Sequence, residues 1–197
     1  MPILGVILCG GQSSRMGSDK GLITSGGETW AQLTLDKLQG IPLRVVLSVR
    51  RSQCENYAAL FFPDQMIVDD VASNIAGPLK GILTVHDRFP DMDLFVLACD
   101  LPKMERYVLE HLYTQYQNQH ADVTLFLNNE QIEPLCAIYR AAGLARIKDD
   151  YLRQKLTRYS LHHVIEKLSK HLVPLNKDWQ SCFQNFNSPD DLARPLT

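Results

Sequence analysis

The sequence contains no apolar run approaching the ~18–20 residues that a membrane-spanning helix requires. The apolar stretch from Ile3 to Cys9 lacks a basic start and leads at once into glycines, so it does not have the form of a secretory leader. Nor is there an excess of charge of one sign. Twenty Lys and Arg stand against 22 Asp and Glu, a formal charge of −2, which argues against a protein built around a nucleic-acid backbone while leaving room for a local basic site. The five cysteines (Cys9, Cys54, Cys99, Cys136 and Cys182) are odd in number and widely spaced. They form no CxxC and no Cys/His pairing at zinc spacing. Such usage suits buried thiols in a reducing compartment. The six histidines, including His162-His163, show no HExxH spacing, and GxSxG, GxGxxG and GxxxxGK followed by Ser or Thr are all missing. Internal repeats, low-complexity tracts and clear linkers are absent as well. The expectation is a soluble, cytoplasmic, globular protein without a membrane or nucleic-acid partner.

What is there is ordinary in bulk: 197 residues, 45% hydrophobic and 21% charged. That suffices for one domain over residues 1–197 with a sizeable core. Ile3 to Cys9 is short, continuous and β-branched, as in a strand buried on both faces. Arg44 to Val49, Met66 to Asp70 and Asp93 to Asp100 read as further strands. So do Asp122 to Leu127 and Leu135 to Tyr139, parted by the turn signal Asn128-Asn129, and His171 to Leu175. Helical spacing is predicted over Thr29 to Leu38, Ser52 to Leu60, Leu79 to His86, Tyr107 to Tyr116, Gly143 to Leu152 and Ser160 to Leu168. At the end, Ser188-Pro189-Asp190-Asp191 has the composition of a helix start, which places Asn185 and Asn187 at a strand-to-helix junction. Strands alternating with helices predict an α/β fold with a mostly parallel sheet covered on both faces. Ligands bind such sheets at the carboxyl ends of the strands. This groups the Gly10–Lys20 loop with Ser48, Asp70 and Asp100.

The loop Gly10-Gly11-Gln12-Ser13-Ser14-Arg15-Met16-Gly17-Ser18-Asp19-Lys20 is the most informative segment. Adjacent glycines after a buried strand let backbone amides approach a ligand. Arg15 adds a fork-shaped cation and Lys20 a mobile one. This composition suits a polyphosphate; the alternative is a glycine turn with solvated charges. Asp100, directly after a strand and before Leu101-Pro102, sits where Mg²⁺ could bridge a carboxylate to phosphate oxygens; the alternative is an Asp that bonds to its own turn. Asp69 and Asp70 could hold a base or ribose, or face solvent. Asn185 and Asn187 could touch metal or phosphate, or cap a junction. Cys9 and Cys99 have apolar neighbours and read as packing thiols.

These segments together resemble a known family. Leu8-Cys9-Gly10-Gly11 followed by Arg15-Met16-Gly17-Ser18-Asp19-Lys20 is similar to the LAGGxxxRMGxDK signature of the molybdenum cofactor guanylyltransferases, members of the MobA-like nucleotidyltransferase group with a Rossmann-like three-layer fold of the nucleotide-diphospho-sugar transferase type. Asp70 and Gly77-Pro78-Leu79-Lys80-Gly81, then Cys99-Asp100-Leu101-Pro102, then Pro134 to Tyr139, then Phe183 to Leu192 resemble its later motifs in order. Three positions depart from the pattern: Cys9 for the usual Ala, Ser48 for an Asn, and Ser188 for a Thr. The resemblance implies transfer of GMP from GTP to the terminal phosphate of molybdopterin with release of pyrophosphate. It implies Mg²⁺ on Asp100, with Asn187 a secondary candidate ligand, and Arg15 and Lys20 neutralising the triphosphate. The nucleotide site would comprise Leu8, Cys9, Gly10, Gly11, Lys20, Ser48, Asp70 and Asp100. The attacking phosphate is already largely ionised near neutral pH, so no general base is required.

Two other readings share the same motifs. One is a relative using CTP, or an acceptor such as phospholactate; the other is a non-catalytic nucleotide-binding accessory protein. Molybdoenzymes or their chaperones as delivery partners, and a monomer or weak oligomer, complete the expectations.

Overall fold

The structure is a computed structural model that describes residues 2–10, 19–70 and 74–186. In chain order its strands are Ile3–Leu8 (β1), Thr24–Ser25 (β2), Glu28–Thr29 (β3), Arg44–Val49 (β4), Met66–Val68 (β5), Asp93–Ala98 (β6), Val123–Asn128 (β7), Gln131–Tyr139 (β8) and Lys170–Pro174 (β9). The α-helices are Trp30–Gln39 (α1), Cys54–Ala58 (α2), Pro78–Arg88 (α3), Arg106–Gln117 (α4), Ala141–Leu152 (α5) and Leu161–Glu166 (α6). Seven strands form one sheet in the order β5-β4-β1-β6-β8-β7-β9, and β2 and β3 form a small separate hairpin.

β1 pairs in parallel with β4 on one side and β6 on the other. β5 extends the parallel half beyond β4. A strand hydrogen-bonded on both sides has only its two faces left to cover, which is why β1, and β6 after Asp93, carry no polar side chain. Alternate residues feed two cores. Ile7, Leu47, Phe95 and Leu97 pack with Ala31 and Leu38 of α1 and Leu109 and Leu112 of α4. Leu4, Val6, Val46, Leu94 and Val96 pack with Ile82 of α3, Leu144 of α5 and Val164 of α6. The result is the predicted three-layer α/β arrangement.

The far half of the sheet is less regular. Asn129 and Glu130 both have positive φ (46° and 66°) between the paired Asn128 and Gln131, the backbone of a type I′ hairpin turn. This turn makes β8 antiparallel to β7 and inserts it antiparallel beside β6, while β9 runs parallel to β7. The predicted strands are therefore present and the sheet is mostly parallel, but the antiparallel insertion is a property of the pairing order.

Helix α1 starts where expected because Thr29 and Gln32 form a reciprocal cap, Gln32 N–H to Thr29 Oγ1 at 3.3 Å and Thr29 N–H to Gln32 Oε1 at 3.0 Å. The helix predicted over Ser52 to Leu60 is shorter, a 3₁₀ turn at Arg51–Gln53 leading into α2. The strand predicted to run to Asp70 ends at Val68. The helix start predicted at Ser188 lies outside the described residues.

At the amino end of β6, opposite the strand ends that matter below, Asp93 is fully buried. It accepts hydrogen bonds from Tyr116 Oη (2.5 Å), Ala141 N–H (2.8 Å) and Arg140 Nη1 (3.3 Å). One carboxylate thus ties α4, the start of α5 and β6 together. Asp93→Ala is expected to cost about 3–5 kcal/mol of unfolding free energy, because it leaves the Arg140 guanidinium and a buried N–H without their partner. Urea unfolding measures this, and nucleotide binding by the folded fraction should be unchanged.

Candidate functional site

The parallel half of the sheet brings the carboxyl ends of β1, β4, β5 and β6 to one edge. The ladders run one residue past the strands: Cys9 N–H bonds to Ser48 O (3.0 Å), Asp69 N–H to Val49 O (2.8 Å) and Cys99 N–H to Leu8 O (3.3 Å). The register thereby holds Gly10, Asp69 and Asp100 around one cavity of about 160 Å³. Leu8, Ala98 and Leu135 give it apolar walls, and Gly77, Pro78 and Gly81 of the α3 start close it.

At one end, Lys20 Nζ lies 2.8 Å from Asp100 Oδ2, with both side chains less than a fifth exposed. The other carboxylate oxygen, Asp100 Oδ1, is buried and has no hydrogen-bond partner among the described residues. A buried, unsatisfied carboxylate oxygen is costly unless something binds it. An oxygen-seeking divalent cation that keeps most of its shell as water and phosphate fits such a single anionic ligand. Among the described residues no cluster of three or more His, Cys, Asp or Glu could hold a metal by protein ligands alone. The donor set therefore fits a cation shared with a phosphorylated ligand.

Lys20 is aimed by its neighbour. Asp19 caps the 3₁₀ turn Lys20–Leu22, accepting from Gly21 N–H at 3.1 Å. Its carboxylate also accepts from Tyr57 Oη (3.0 Å) and Gln53 Nε2 (2.6 Å). Gln53 Nε2 donates in addition to Cys9 O (2.9 Å), and Gln53 Oε1 accepts from Arg50 N–H (2.7 Å). Two buried side chains from the segment after β4 thus hold Asp19, next to Lys20. Burial, with Cys9, Cys99 and Asp19 nearby, pushes the Tyr57 phenol far above its ordinary range, so it is a fixed donor. Cys99 is hydrogen-bonded to Cys9 and buried, which holds its thiol well up. It serves as packing, as expected.

At the other end of the cavity, Ser48 is buried. Its Oγ donates to Asp69 Oδ1 at 2.6 Å. Asp69 faces the cavity, whereas Asp70 does not; it lines an adjoining cavity with Arg50, Arg51 and Lys80, and its N–H bonds to Thr84 Oγ1 at 3.1 Å.

Of the residues singled out from sequence, Leu8, Cys9, Gly10, Lys20, Ser48 and Asp100 all line the one cavity. Arg15, Gly11 and Asn187 lie outside the described residues. Phe186, just before Asn187, is buried against Trp30, and its N–H points to Asp100 O at 3.4 Å. Sequence reasoning missed Leu135, because only the antiparallel insertion of β8 carries it there. It also missed Gln53 and Tyr57, which have no motif.

A sheet of this order with a Lys–Asp pair just past its central strands suits a nucleotidyltransferase, and the family match gives that class. The chain matches the model of the MobA-like NTP transferase domain over residues 5–171, and it belongs to that family. It is 33% identical over 196 residues to the molybdenum cofactor biosynthesis bifunctional protein of Synechocystis sp., covering 98% of this chain but 53% of that longer protein; the chain thus spans about half the length of that relative. It is 25% identical over 194 residues to the molybdenum cofactor guanylyltransferase of Shewanella baltica, covering 96% of this chain and 93% of that one. Among solved structures it resembles molybdopterin-guanine dinucleotide biosynthesis protein A from Archaeoglobus fulgidus, with a TM-score of 0.78 and 24% identity over 97% of this chain and 95% of that one. A 4-diphosphocytidyl-2C-methyl-D-erythritolsynthase from Anaerococcus prevotii shares the fold at a TM-score of 0.73 and 10% identity, covering 98% of this chain and 93% of that one. Among the described residues, no helix is long and apolar enough to cross a membrane.

The lock on Asp19 is testable by a double-mutant cycle. A methyl group on Gly21 would lie 2.1 Å from Tyr57 Oη. Gly21→Ala is therefore expected to cost about 1–3 kcal/mol as an overpacked substitution. Tyr57→Phe alone should cost about 1 kcal/mol, the scale of one hydrogen bond. In the double variant the clash with the hydroxyl is gone, so urea unfolding should show a total loss smaller than the sum of the two.

Proposed function

We propose that this chain transfers GMP from GTP to the terminal phosphate of a molybdopterin, forming the guanine dinucleotide and releasing pyrophosphate. The observation that carries it is the Lys20–Asp100 pair with its second oxygen, Asp100 Oδ1, buried and unpartnered among the described residues. The names of the relatives supply the nucleotide and the acceptor. We further propose that residues 1–197 act as a single domain, since both cores draw on strands from either half of the sheet. A reducing cytoplasm suits its five free cysteines.

In this reaction an oxygen of the acceptor phosphate attacks the α-phosphorus of GTP. The bond from that phosphorus to the bridging oxygen breaks, and pyrophosphate leaves with the electron pair. The nucleophile arrives ionised, so the chain needs to position and neutralise rather than to remove a proton. In this reading Lys20 Nζ follows charge building on the leaving pyrophosphate, and the hydrogen bonds to Asp19 limit its wandering. Asp100 Oδ1 is the residue that would hold Mg²⁺, which supplies positive charge to the triphosphate when bound. The apolar wall of Leu8, Ala98 and Leu135 keeps water from competing as acceptor.

Pyrophosphate release is expected only with GTP, Mg²⁺ and molybdopterin together. Lys20→Ala should lower kcat roughly 10²–10³-fold, the scale of one preorganised charge donor. Asp100→Asn should abolish the Mg²⁺ dependence along with most turnover. Full activity in Asp100→Asn would remove the metal assignment. GTP binding without pyrophosphate release in the presence of molybdopterin would point to another acceptor or to an accessory role.

A further inference from the structure

We propose that Lys37 is a positioning residue of this site: by donating to the carbonyl of Pro102 it fixes the turn that aims Asp100, and so sets how firmly the chain holds the divalent cation carried by its nucleotide. This rests on the reading above, in which Asp100 Oδ1 meets that cation.

The turn needs support from outside itself. The ladder between β1 and β6 reaches Cys99, whose N–H bonds to Leu8 O at 3.3 Å. Asp100, Leu101 and Pro102 lie beyond the strand. An Asp side chain is short, so the direction of its oxygens follows the course of its backbone. Three hydrogen bonds hold the carbonyls of this turn: Phe186 N–H to Asp100 O (3.4 Å), Met104 N–H to Leu101 O (3.0 Å) and Lys37 Nζ to Pro102 O (2.7 Å). The Met104 bond is local, whereas the other two come from distant segments. Among the described residues, Lys37 supplies the one side chain that bonds to the backbone of residues 100–102.

Both outside bonds trace to one helix. Trp30 and Lys37 are seven positions apart on α1, about two turns, and so share a face. Trp30 meets the Phe186 ring edge-on, with centroids 5.9 Å apart, and Phe186 N–H points to Asp100 O. Lys37 reaches Pro102 directly, across 65 positions of sequence. Helix α1, its start fixed by the Thr29–Gln32 cap, thus grips the turn at Asp100 and at Pro102.

The chemistry of Lys37 exceeds what packing requires. Its side chain is half-buried and Pro102 is buried. Burial lowers the Lys37 pKa, with Glu105 and Cys182 nearby opposing, so the ammonium has lost part of its hydration. A methionine of similar length would cover the same surface without that cost. It could not donate to Pro102 O. Lys37 is not among the described residues that line the cavity, so its effect on a ligand passes through the turn.

The test is calorimetric titration of the full chain with GTP, once in Mg²⁺ and once in EDTA. The ratio of the two affinities reads the metal contact. The wild-type chain should bind the Mg²⁺ complex more tightly than free GTP, and Asp100→Asn should remove that advantage. Lys37→Met should lower the ratio roughly 3–10-fold, the range for one hydrogen bond, with free GTP bound as before. Lys37→Arg keeps a charged donor and should retain the wild-type ratio. Added to Asp100→Asn, Lys37→Met should change the ratio no further. An equal loss in both titrations, or a wild-type ratio in Lys37→Met, would overturn the proposal. So would a further fall in the double variant, which would mean that Lys37 acts other than through Asp100. Urea unfolding of each variant gives its folded fraction. If Lys37→Met does not fold, Lys37→Gln, whose amide stops one bond short, is read in its place; failure of both to fold would mark a purely structural role and overturn the proposal. A wild-type chain that binds GTP no better in Mg²⁺ than in EDTA would overturn the metal reading itself, a result that involves no variant.

Discussion

The parallel hydrogen bonding of β1 between β4 and β6 is the constraint on which everything else depends. Parallel strands start and end together, so their carboxyl ends meet at one edge of the sheet. Each leaves that edge through a polar or small residue: Gly10 after β1, Arg50 after β4, Asp69 after β5 and Asp100 after the Cys99 that ends β6. Because β1 is covered on both sides by neighbours and on both faces by apolar side chains, its register cannot slip without exposing Leu4, Val6 or Ile7. The positions of the polar groups inherit that rigidity.

Close approach is the second theme. Three glycines let side chains meet that a methyl group would separate: Gly10 beside Asp69, Gly21 beside Tyr57 and Gly81 beside Ser48. Gly21 belongs to the loop that carries Lys20, and Gly81 to the first turn of α3. The Lys20 end and the Asp69 end of the cavity thus rest on separate supports. At the Lys20 end Asp19, Gln53 and Tyr57 form a small, largely buried network in which both carboxylate oxygens of Asp19 accept from side chains distant in sequence. At the Asp69 end a single hydroxyl, that of Ser48, steers a single carboxylate.

The contrast between Asp93 and Asp100 shows how the fold treats two carboxylates on the same strand. Asp93, at the amino end of β6, is saturated by Tyr116, Arg140 and Ala141, and it stabilises the molecule. Asp100, just past the carboxyl end, keeps one oxygen buried and without a partner among the described residues. A completed hydrogen-bond set suits a structural role, and an incomplete one suits a ligand. The polarity of the strand therefore separates the stabilising edge of the sheet from the chemical edge.

Much of this was legible in the residues taken in order. β-branched apolar runs marked the strands, helical spacing marked α1, α3, α4 and α5, and the glycine loop followed by Asp100 at a strand end marked the site. These signals are local, because strand and helix periodicity and turn chemistry act over a few neighbouring residues. Other features were decided only when distant segments met. Lys20 and Asp100 are 80 positions apart and Tyr57 and Asp19 are 38 apart, and no local pattern announces such a pairing. Whether Asp69 or Asp70 faces the cavity depends on the register of a three-residue strand, too short to reveal its own alternation. The entry of Leu135 depends on an antiparallel strand placed between two others, which the order of hydrogen bonding chooses and the order of residues does not.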